Sequence, residues 1–230
     1  MKFLEYTPLA TLNSFLGHVN LGDYIIEGDL EAYSCKLAGI DKKLSRNLEQ
    51  EVLESFSVSP QELATSPVGP LSSSASRKTL IYLILTLNHM YPDYDFSTLR
   101  AHHFCKEKGV AAVRQTIDNS LMETGQVWAR DVGDSTSFLE ALWSAIDEVI
   151  QLVDCDVYSY KSDHDGDPFG EKGAIWSFNY FFYNKKLKRI LYFSCRCKSK
   201  LALDEASLSS EEGFSEQEDE GFVNDMDMDV

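Results

Sequence analysis

The densest group of chemically active side chains is a basic cluster near the carboxyl-terminal end of the apolar part of the chain. Its four cations are Lys185, Lys186, Lys188 and Arg189. Clustered Lys and Arg can bind an acidic partner or act as a nuclear import signal. The same residues can also protect an exposed strand end from aggregation. These four residues are therefore the predicted partner-binding or nuclear import site, with a solvated strand end as the open alternative.

Three serines are candidate phosphorylation sites. Ser45 follows two lysines in the segment KKLS, a pattern that basic-residue-directed kinases select, and Ser59 and Ser66 each precede a proline. A phosphate adds roughly −1.5 to −2 charges at neutral pH. Ser45 is the better candidate, because a phosphate there would partly neutralise Lys42, Lys43 and Arg46, whereas a phosphate on a mobile linker is screened by solvent.

Motifs for catalysis or metal binding are incomplete or missing. Asp163, Asp165 and Asp167 resemble the start of a calcium loop, but Pro168 stands where such a loop needs Gly. The cysteines lack the Cys-x2-Cys spacing of zinc sites, and the sequence has no phosphate-binding glycine loop, nucleophile elbow or HExxH helix. We therefore expect no enzyme, no metal ion and no cofactor.

Composition limits the class of protein further. The chain has 230 residues, 43% of them hydrophobic, and five cysteines, which together predict a globular core and an intracellular protein with free thiols. The formal charge is −16, but residues 201–230 hold eleven acids and no Lys or Arg, so the rest carries 37 − 11 = 26 acids against 21 bases. No transmembrane helix, signal peptide or direct sequence-specific DNA binding is expected.

The basic cluster lies at the tip of a predicted β-hairpin. Six of the eight residues at 176–183 are aromatic, and a turn containing Asn184 leads into a second apolar strand. A two-residue turn at Asn184 and Lys185 would place Phe178 opposite Leu191. One face would then be buried, with Trp176, Phe178, Phe182, Leu191 and Phe193 together. The opposite face would be a mixed aromatic and basic surface.

The other elements follow from apolar periodicity and from capping residues. We predict helices that begin at Thr7, span 41–56, lie within 110–128, and follow the Ser137 capping box through 138–153. We predict strands at 24–37, with a bulge or bend near Gly28, and at 155–160. The continuous apolar run at 80–87 favours a strand buried on both faces, although a buried helix has the same pattern.

This order of elements predicts an α+β fold with a largely antiparallel central sheet of about five strands and helices packed on it. One globular domain would span residues 1–200, interrupted by a flexible Ser/Pro linker at 57–76. Residues 201–230 would form an acidic disordered tail, because their few apolar side chains cannot offset the entropy of ordering them.

Several strings of residues resemble the Maf-one family of RNA polymerase III repressors. The two longest are the segments PDYDFS at 92–97 and WSFNYFFYNKKLKR at 176–189. Shorter ones are LEAYSCK at 30–36, SRKTL at 76–80 and DPFGE at 167–171. The likeness spans about residues 1–197 and leaves the linker and the tail unmatched.

The resemblance implies a non-enzymatic regulator with a compact α/β domain and a variable linker. Such a protein binds the clamp region of RNA polymerase III and blocks its engagement with promoter-bound initiation factors. Protein kinases of nutrient-sensing and cyclic-AMP pathways inhibit it, phosphatases reactivate it, and it shuttles between nucleus and cytoplasm. The linker is short here, so the family's phosphorylation sites cannot be transferred by position.

Two functions of other classes are alternatives to the hypothesis of a polymerase repressor. The first is an RNA- or nucleotide-binding module that uses the aromatic and basic face of the hairpin. The second is a hydrolase whose catalytic residues are scattered along the chain.

Overall fold

A computed structural model describes residues 1–55, 66–133, 136–161, 168–169 and 174–202. Ser59, the three aspartates of the incomplete calcium loop and the acidic tail beyond residue 202 lie outside the described residues. The predictions of a linker at 57–65 and of a disordered tail therefore stay predictions.

The described residues form a seven-stranded antiparallel sheet, which confirms the α+β class. Along the sheet the order is β1-β3-β7-β6-β5-β4, with β2 paired to β3. The strands are β1 (Lys2–Phe3), β2 (Val19–Asn20), β3 (Tyr24–Ser34), β4 (Phe104–Lys106), β5 (Cys155–Tyr160), β6 (Ala174–Asn184) and β7 (Arg189–Ser199). The count exceeds the predicted five because β1, β2 and β4 are too short to show an alternating pattern.

Two strands that are far apart in sequence, β3 and β7, pair with each other in the sheet. β3 pairs along its whole length with β7, from Tyr24 opposite Ser199 to Ser34 opposite Arg189. Gly28 lies in regular register opposite Cys195, so the predicted bulge is wrong. A Cβ at this glycine would lie 3.2 Å from the Ser194 carbonyl oxygen, so close packing accounts for the glycine.

The hairpin of β6 and β7 has the predicted faces but a different register. Asn184 pairs with Arg189, and Phe178 pairs with Cys195 in place of Leu191. The turn therefore has four residues, and the predicted two-residue turn is wrong. Because the shift is an even number of residues, every side chain keeps its predicted face. Phe178, Phe182, Leu191 and Phe193 lie in one core cluster, with Trp176 packed against it.

Helices cover both faces of the sheet. The first face packs against α1 (Thr7–Leu16), α4 (Val110–Leu121), α5 (Thr124–Asp131) and α6 (Phe138–Ile150). The second face packs against α2 (Gly39–Ser55) and α3 (Ser74–Met90). The helix predicted over 110–128 is two helices. Ser137 caps α6 as predicted, since its Oγ accepts the Glu140 N–H at 3.3 Å, which is one of the two bonds of a capping box. α1 begins at Thr7 as predicted, although no side chain caps it.

The apolar run at 80–87 is part of a helix, so the predicted buried strand is wrong. α3 lies between the sheet and α2, and both sides bury its residues, which removes the amphipathic pattern of a surface helix. α3 begins at Ser74, inside the linker that was predicted at 57–76. Ser73 caps the helix by accepting the Ala75 N–H at 3.3 Å. Val68 and Leu71 also lie in this core, so the described residues 66–76 are folded against the domain.

Candidate partner-binding surface

The aromatic residues on the second face of the hairpin are buried. Phe181, Tyr183, Ile190 and Tyr192 lie in the core beneath α3, with exposed fractions of 6% or less. An RNA-binding face needs exposed aromatic rings on which bases can stack. This face therefore offers no exposed rings to the RNA- or nucleotide-binding alternative.

The basic cluster at the hairpin tip is largely occupied by contacts within the protein. Lys185 Nζ lies 2.7 Å from Asp156 Oδ2, and Lys186 Nζ lies 2.6 Å from Asp154 Oδ1. Lys106 Nζ also lies 2.9 Å from the other carboxylate oxygen of Asp156, Oδ1. Partial burial opposes ionisation of Asp156, but the bonds from the two lysines outweigh it and lower the pKa of this carboxyl group. Two of the four predicted site residues are thus already neutralised.

Arg189 has a structural contact at the end of α6. Its Nη1 atom donates to the Val149 carbonyl at 2.8 Å, and the buried Asn184 amide donates to the Ile150 carbonyl at 2.8 Å. The last carbonyls of a helix lack partners within the helix and carry its negative partial charge, so a cation there is favourable. This end of the hairpin therefore caps α6.

Lys188 is the fourth member of the cluster, and its side chain is exposed. Its backbone is in the left-handed region with φ 52°, as the fourth residue of the turn, and its carbonyl accepts the Cys35 N–H at 2.9 Å. The structure thus brings the four predicted residues together, but of their charged groups only that of Lys188 has no protein contact among the described residues.

A second group of cations lies on α2 and has no such partners among the described residues. Lys42, Lys43 and Arg46 are exposed, and their spacing places them on neighbouring positions of the first two turns. The acids of the same helix pair elsewhere: Asp41 with His89, Glu49 with Arg77 and Glu51 with Arg100. Within the described residues these three cations form an unpaired basic surface, which we call the α2 basic surface.

Ser45 lies within the α2 basic surface. Its side chain is half-buried, between Leu44, which packs against the core, and the exposed Arg46. α2 begins at Gly39, two residues earlier than predicted, so Ser45 falls in its second turn. The helix dipole acts mainly within the first turn, so a charge at Ser45 acts chiefly on the neighbouring cations.

Ser66 is part of a folded turn. Its hydroxyl donates to the Gly69 carbonyl at 2.6 Å, and its own carbonyl accepts the Gly69 N–H at 2.9 Å. A phosphate on Ser66 would remove this donor and bring charge next to the buried Val68. Ser66 is thus a less accessible candidate than a serine in a linker.

Part of the second sheet face is polar, which the sequence analysis missed. Glu27 Oε2 lies 2.8 Å from Arg196 Nη2 and 3.2 Å from Lys198 Nζ. Glu27, Asp29 and Arg196 line a cavity of about 360 Å³. The alternation of Glu27, Asp29 and Glu31 along β3 was the available signal, because alternate residues of a strand share one face. α3 covers only the apolar part of this face, which includes Tyr183, Ile190 and Tyr192.

The cysteines and acids are not arranged for redox or metal chemistry. All five cysteines are free, and burial raises the pKa of the Cys35 and Cys155 thiols to about 12. A thiol with so high a pKa is a poor nucleophile. In the part of the chain that the structure describes, no three His, Cys, Asp or Glu residues are grouped to hold a metal ion. No helix there has the length and apolar character needed to cross a membrane.

Comparison with known proteins gives one consistent family. The sequence profile of the Maf1 regulator family matches residues 26–194. A Dictyostelium discoideum protein named repressor of RNA polymerase III transcription is 36% identical, over 88% of this chain and 87% of its own length. Its namesake from Schizosaccharomyces pombe is 39% identical, over 84% and 82%.

A solved structure supports the same assignment. The crystal structure of citrus MAF1 superimposes with a TM-score of 0.69 at 47% identity, covering 84% of this chain and all of that one. The matched segment begins within β3 and ends within β7, its pairing partner, and it includes α2 and the hairpin tip. The chain therefore belongs to the Maf1 family of regulators, the family that its sequence resembles.

Proposed function

We propose that this protein represses transcription by RNA polymerase III by binding the polymerase directly. The observation that carries the proposal is the family match over residues 26–194, together with relatives that are named repressors of that polymerase. The protein acts by contact and not by catalysis. Its occupancy of the clamp region prevents the polymerase from engaging promoter-bound initiation factors.

The α2 basic surface is the best-supported contact for this function. Lys42, Lys43 and Arg46 are exposed and unpaired in the described part of the chain, so binding an acidic partner breaks no existing ion pair. Clustered charge of this kind raises association rates and orients the partner. The hairpin tip is the weaker candidate, because Lys185 and Lys186 would first have to leave Asp156 and Asp154.

Phosphorylation at Ser45 would relieve repression through charge. Three cations surround this serine in sequence, and a phosphate of roughly −1.5 to −2 charges would cancel much of their field. The fold survives, because Ser45 is only half-buried and the helix is held by the buried Leu48 and Val52. Kinases and phosphatases then set the active fraction, and shuttling between nucleus and cytoplasm sets access to the polymerase.

The test is binding of the purified full-length protein to purified RNA polymerase III without nucleic acid, followed by transcription of a transfer-RNA gene. We expect the unphosphorylated protein to bind and repress. The triple variant Lys42→Glu/Lys43→Glu/Arg46→Glu should lose most of both activities. A protein that binds RNA but not polymerase would contradict the proposal.

A matched control separates the two basic surfaces. Lys185→Glu/Lys186→Glu/Lys188→Glu carries the same charge change at the hairpin tip, and we expect it to bind nearly as well as the parent. If the hairpin variant alone loses binding, the tip is the contact, as first predicted from the sequence, and the assignment to α2 is wrong.

A further inference from the structure

We propose that the α2 basic surface binds the chain's own acidic carboxyl-terminal segment, through residues 218–223. Residues 203–230 contain eleven Asp and Glu and no Lys or Arg. The inference concerns the protein alone and does not depend on the polymerase. Its consequence is that the tail competes with any acidic partner for the same cations.

Charge is the first reason for choosing α2. The segment EDEGFV at 218–223 presents three consecutive acids, and the α2 basic surface presents three cations without partners among the described residues. The other dense basic cluster, at the hairpin tip, already has Asp154 and Asp156 on two of its lysines. An acidic segment gains more from the unpaired surface, because no ion pair must break first.

Apolar contact is the second reason. Ile40 lies beside the three cations at the start of α2 and is 85% exposed. Phe222 and Val223 follow the three acids of the tail, with Gly221 between them. A segment that places its acids on the cations can therefore cover Ile40 with these two side chains. The amino-terminal end of α2 also favours nearby anions through its helix dipole.

The third reason is that the tail is long enough. β7 ends at Ser199, opposite Tyr24 at the start of β3, and α2 begins five residues after the other end of β3. The tail therefore leaves from the far end of β3, an 11-residue strand that is about 35 Å long at the usual rise. From Ala202 to Glu218 the chain can extend about 50 Å. A tether of this length holds the segment at an effective concentration near the millimolar range, so weak surface contacts are sufficient.

Zero-length carbodiimide cross-linking of the full-length protein tests the proposal directly. The reagent joins a carboxylate to a lysine amine that touches it, and mass spectrometry identifies the pair. We expect amide bonds from Glu218, Asp219 or Glu220 to Lys42 or Lys43. A mixture of isotope-labelled and unlabelled protein shows whether both residues come from one molecule.

Neutralising variants supply the matched control. Glu218→Gln/Asp219→Asn/Glu220→Gln should lower total cross-linking to Lys42 and Lys43 by about fivefold or more, because it removes both the three exposed ion pairs and the carboxylates that the reagent joins to lysine. Asp225→Asn/Asp227→Asn/Asp229→Asn removes the same charge from the same tail and should change it less than twofold. Raised salt should weaken the cross-links of the parent protein.

Four outcomes would overturn the proposal. They are absence of tail cross-links, equal cross-linking to all exposed lysines, cross-links to Lys185, Lys186 or Lys188 in place of α2, and cross-links only between labelled and unlabelled molecules. An equal effect of the two neutralising variants would show that the segment at 218–223 is not the one bound.

Discussion

Asp156 binds two lysines from different parts of the fold, with Lys185 Nζ at 2.7 Å from one carboxylate oxygen and Lys106 Nζ at 2.9 Å from the other. Lys106 lies on β4 and Lys185 in the hairpin turn, so this carboxylate joins the edge of the sheet to the hairpin tip. The residues that looked like a free basic patch are thus partly a structural element.

The first prediction is that Asp156→Asn lowers stability in a pH-dependent way. The lowered pKa of Asp156 means that its contribution is present above the ordinary value of 3.8 and is lost as the pH falls through the folded-state pKa. Partly exposed pairs contribute at most about 1 kcal/mol each. Urea unfolding should therefore show a small loss at pH 7 that shrinks as the pH falls below 3.8. An equal loss at both pH values would mean that the pairs do not contribute.

The second prediction separates Arg189 from Lys188. Arg189→Met removes the donor to the Val149 carbonyl at the end of α6 and should cost about 1–2 kcal/mol of unfolding free energy. Lys188→Met is the control, because it keeps the backbone bond to Cys35 and removes only an exposed charge. Its effect should stay within about 0.5 kcal/mol. Equal losses in urea unfolding would show that the contact to α6 is unimportant.

The third prediction concerns the apolar face of the hairpin. Phe178 is stacked between Trp176 and Tyr180 and packs edge-on against Phe193 at a centroid distance of 5.2 Å. Phe178→Ala should cost about 3–5 kcal/mol, because the cavity cannot close between these rings. The half-exposed Ile175 of the same strand is the control, and its change to Ala should cost less than about 1 kcal/mol. Denaturant unfolding of both variants measures the difference.

The faces of this hairpin could be predicted, but its register could not. Alternation fixes which side chains share a face, and it holds for any even shift between the strands. The choice between a two-residue and a four-residue turn depends on Asn184, whose amide reaches the Ile150 carbonyl and whose oxygen accepts the Leu187 N–H. Such a contact between distant elements leaves no local pattern in the sequence.

The candidate site shows the same limit. The basic cluster at 185–189 was found because like charges adjoin in sequence, but its partners Asp154 and Asp156 lie about thirty positions away. Conversely, the α2 cations gain importance only because the acids of their own helix face other partners. The sequence shows where the cations are, but the packing of the folded chain decides which of them have ion-pair partners.

The fourth prediction is that removing residues 203–230 leaves the melting temperature nearly unchanged. The segment is rich in charge and poor in apolar side chains, so its burial cannot offset the entropy of ordering it. Docking on α2 would add only a few exposed contacts. A large drop in melting temperature, measured by circular dichroism, would show that the tail packs into the domain.

The last prediction concerns Ser45. Ser45→Asp places one negative charge within the α2 basic surface and should weaken both polymerase binding and repression of transfer-RNA transcription. Ser45→Ala should bind like the parent and stay repressive when the kinases are active. Both variants should unfold at nearly the same denaturant concentration as the parent, because the second helical turn lies beyond the strongest effect of the dipole. A phosphate carries about twice the charge of an aspartate, so the phosphorylated protein should show the larger loss. If both variants bind and repress like the parent, Ser45 is not the regulatory site, and Ser59 and Ser66 remain to be tested in the same two assays.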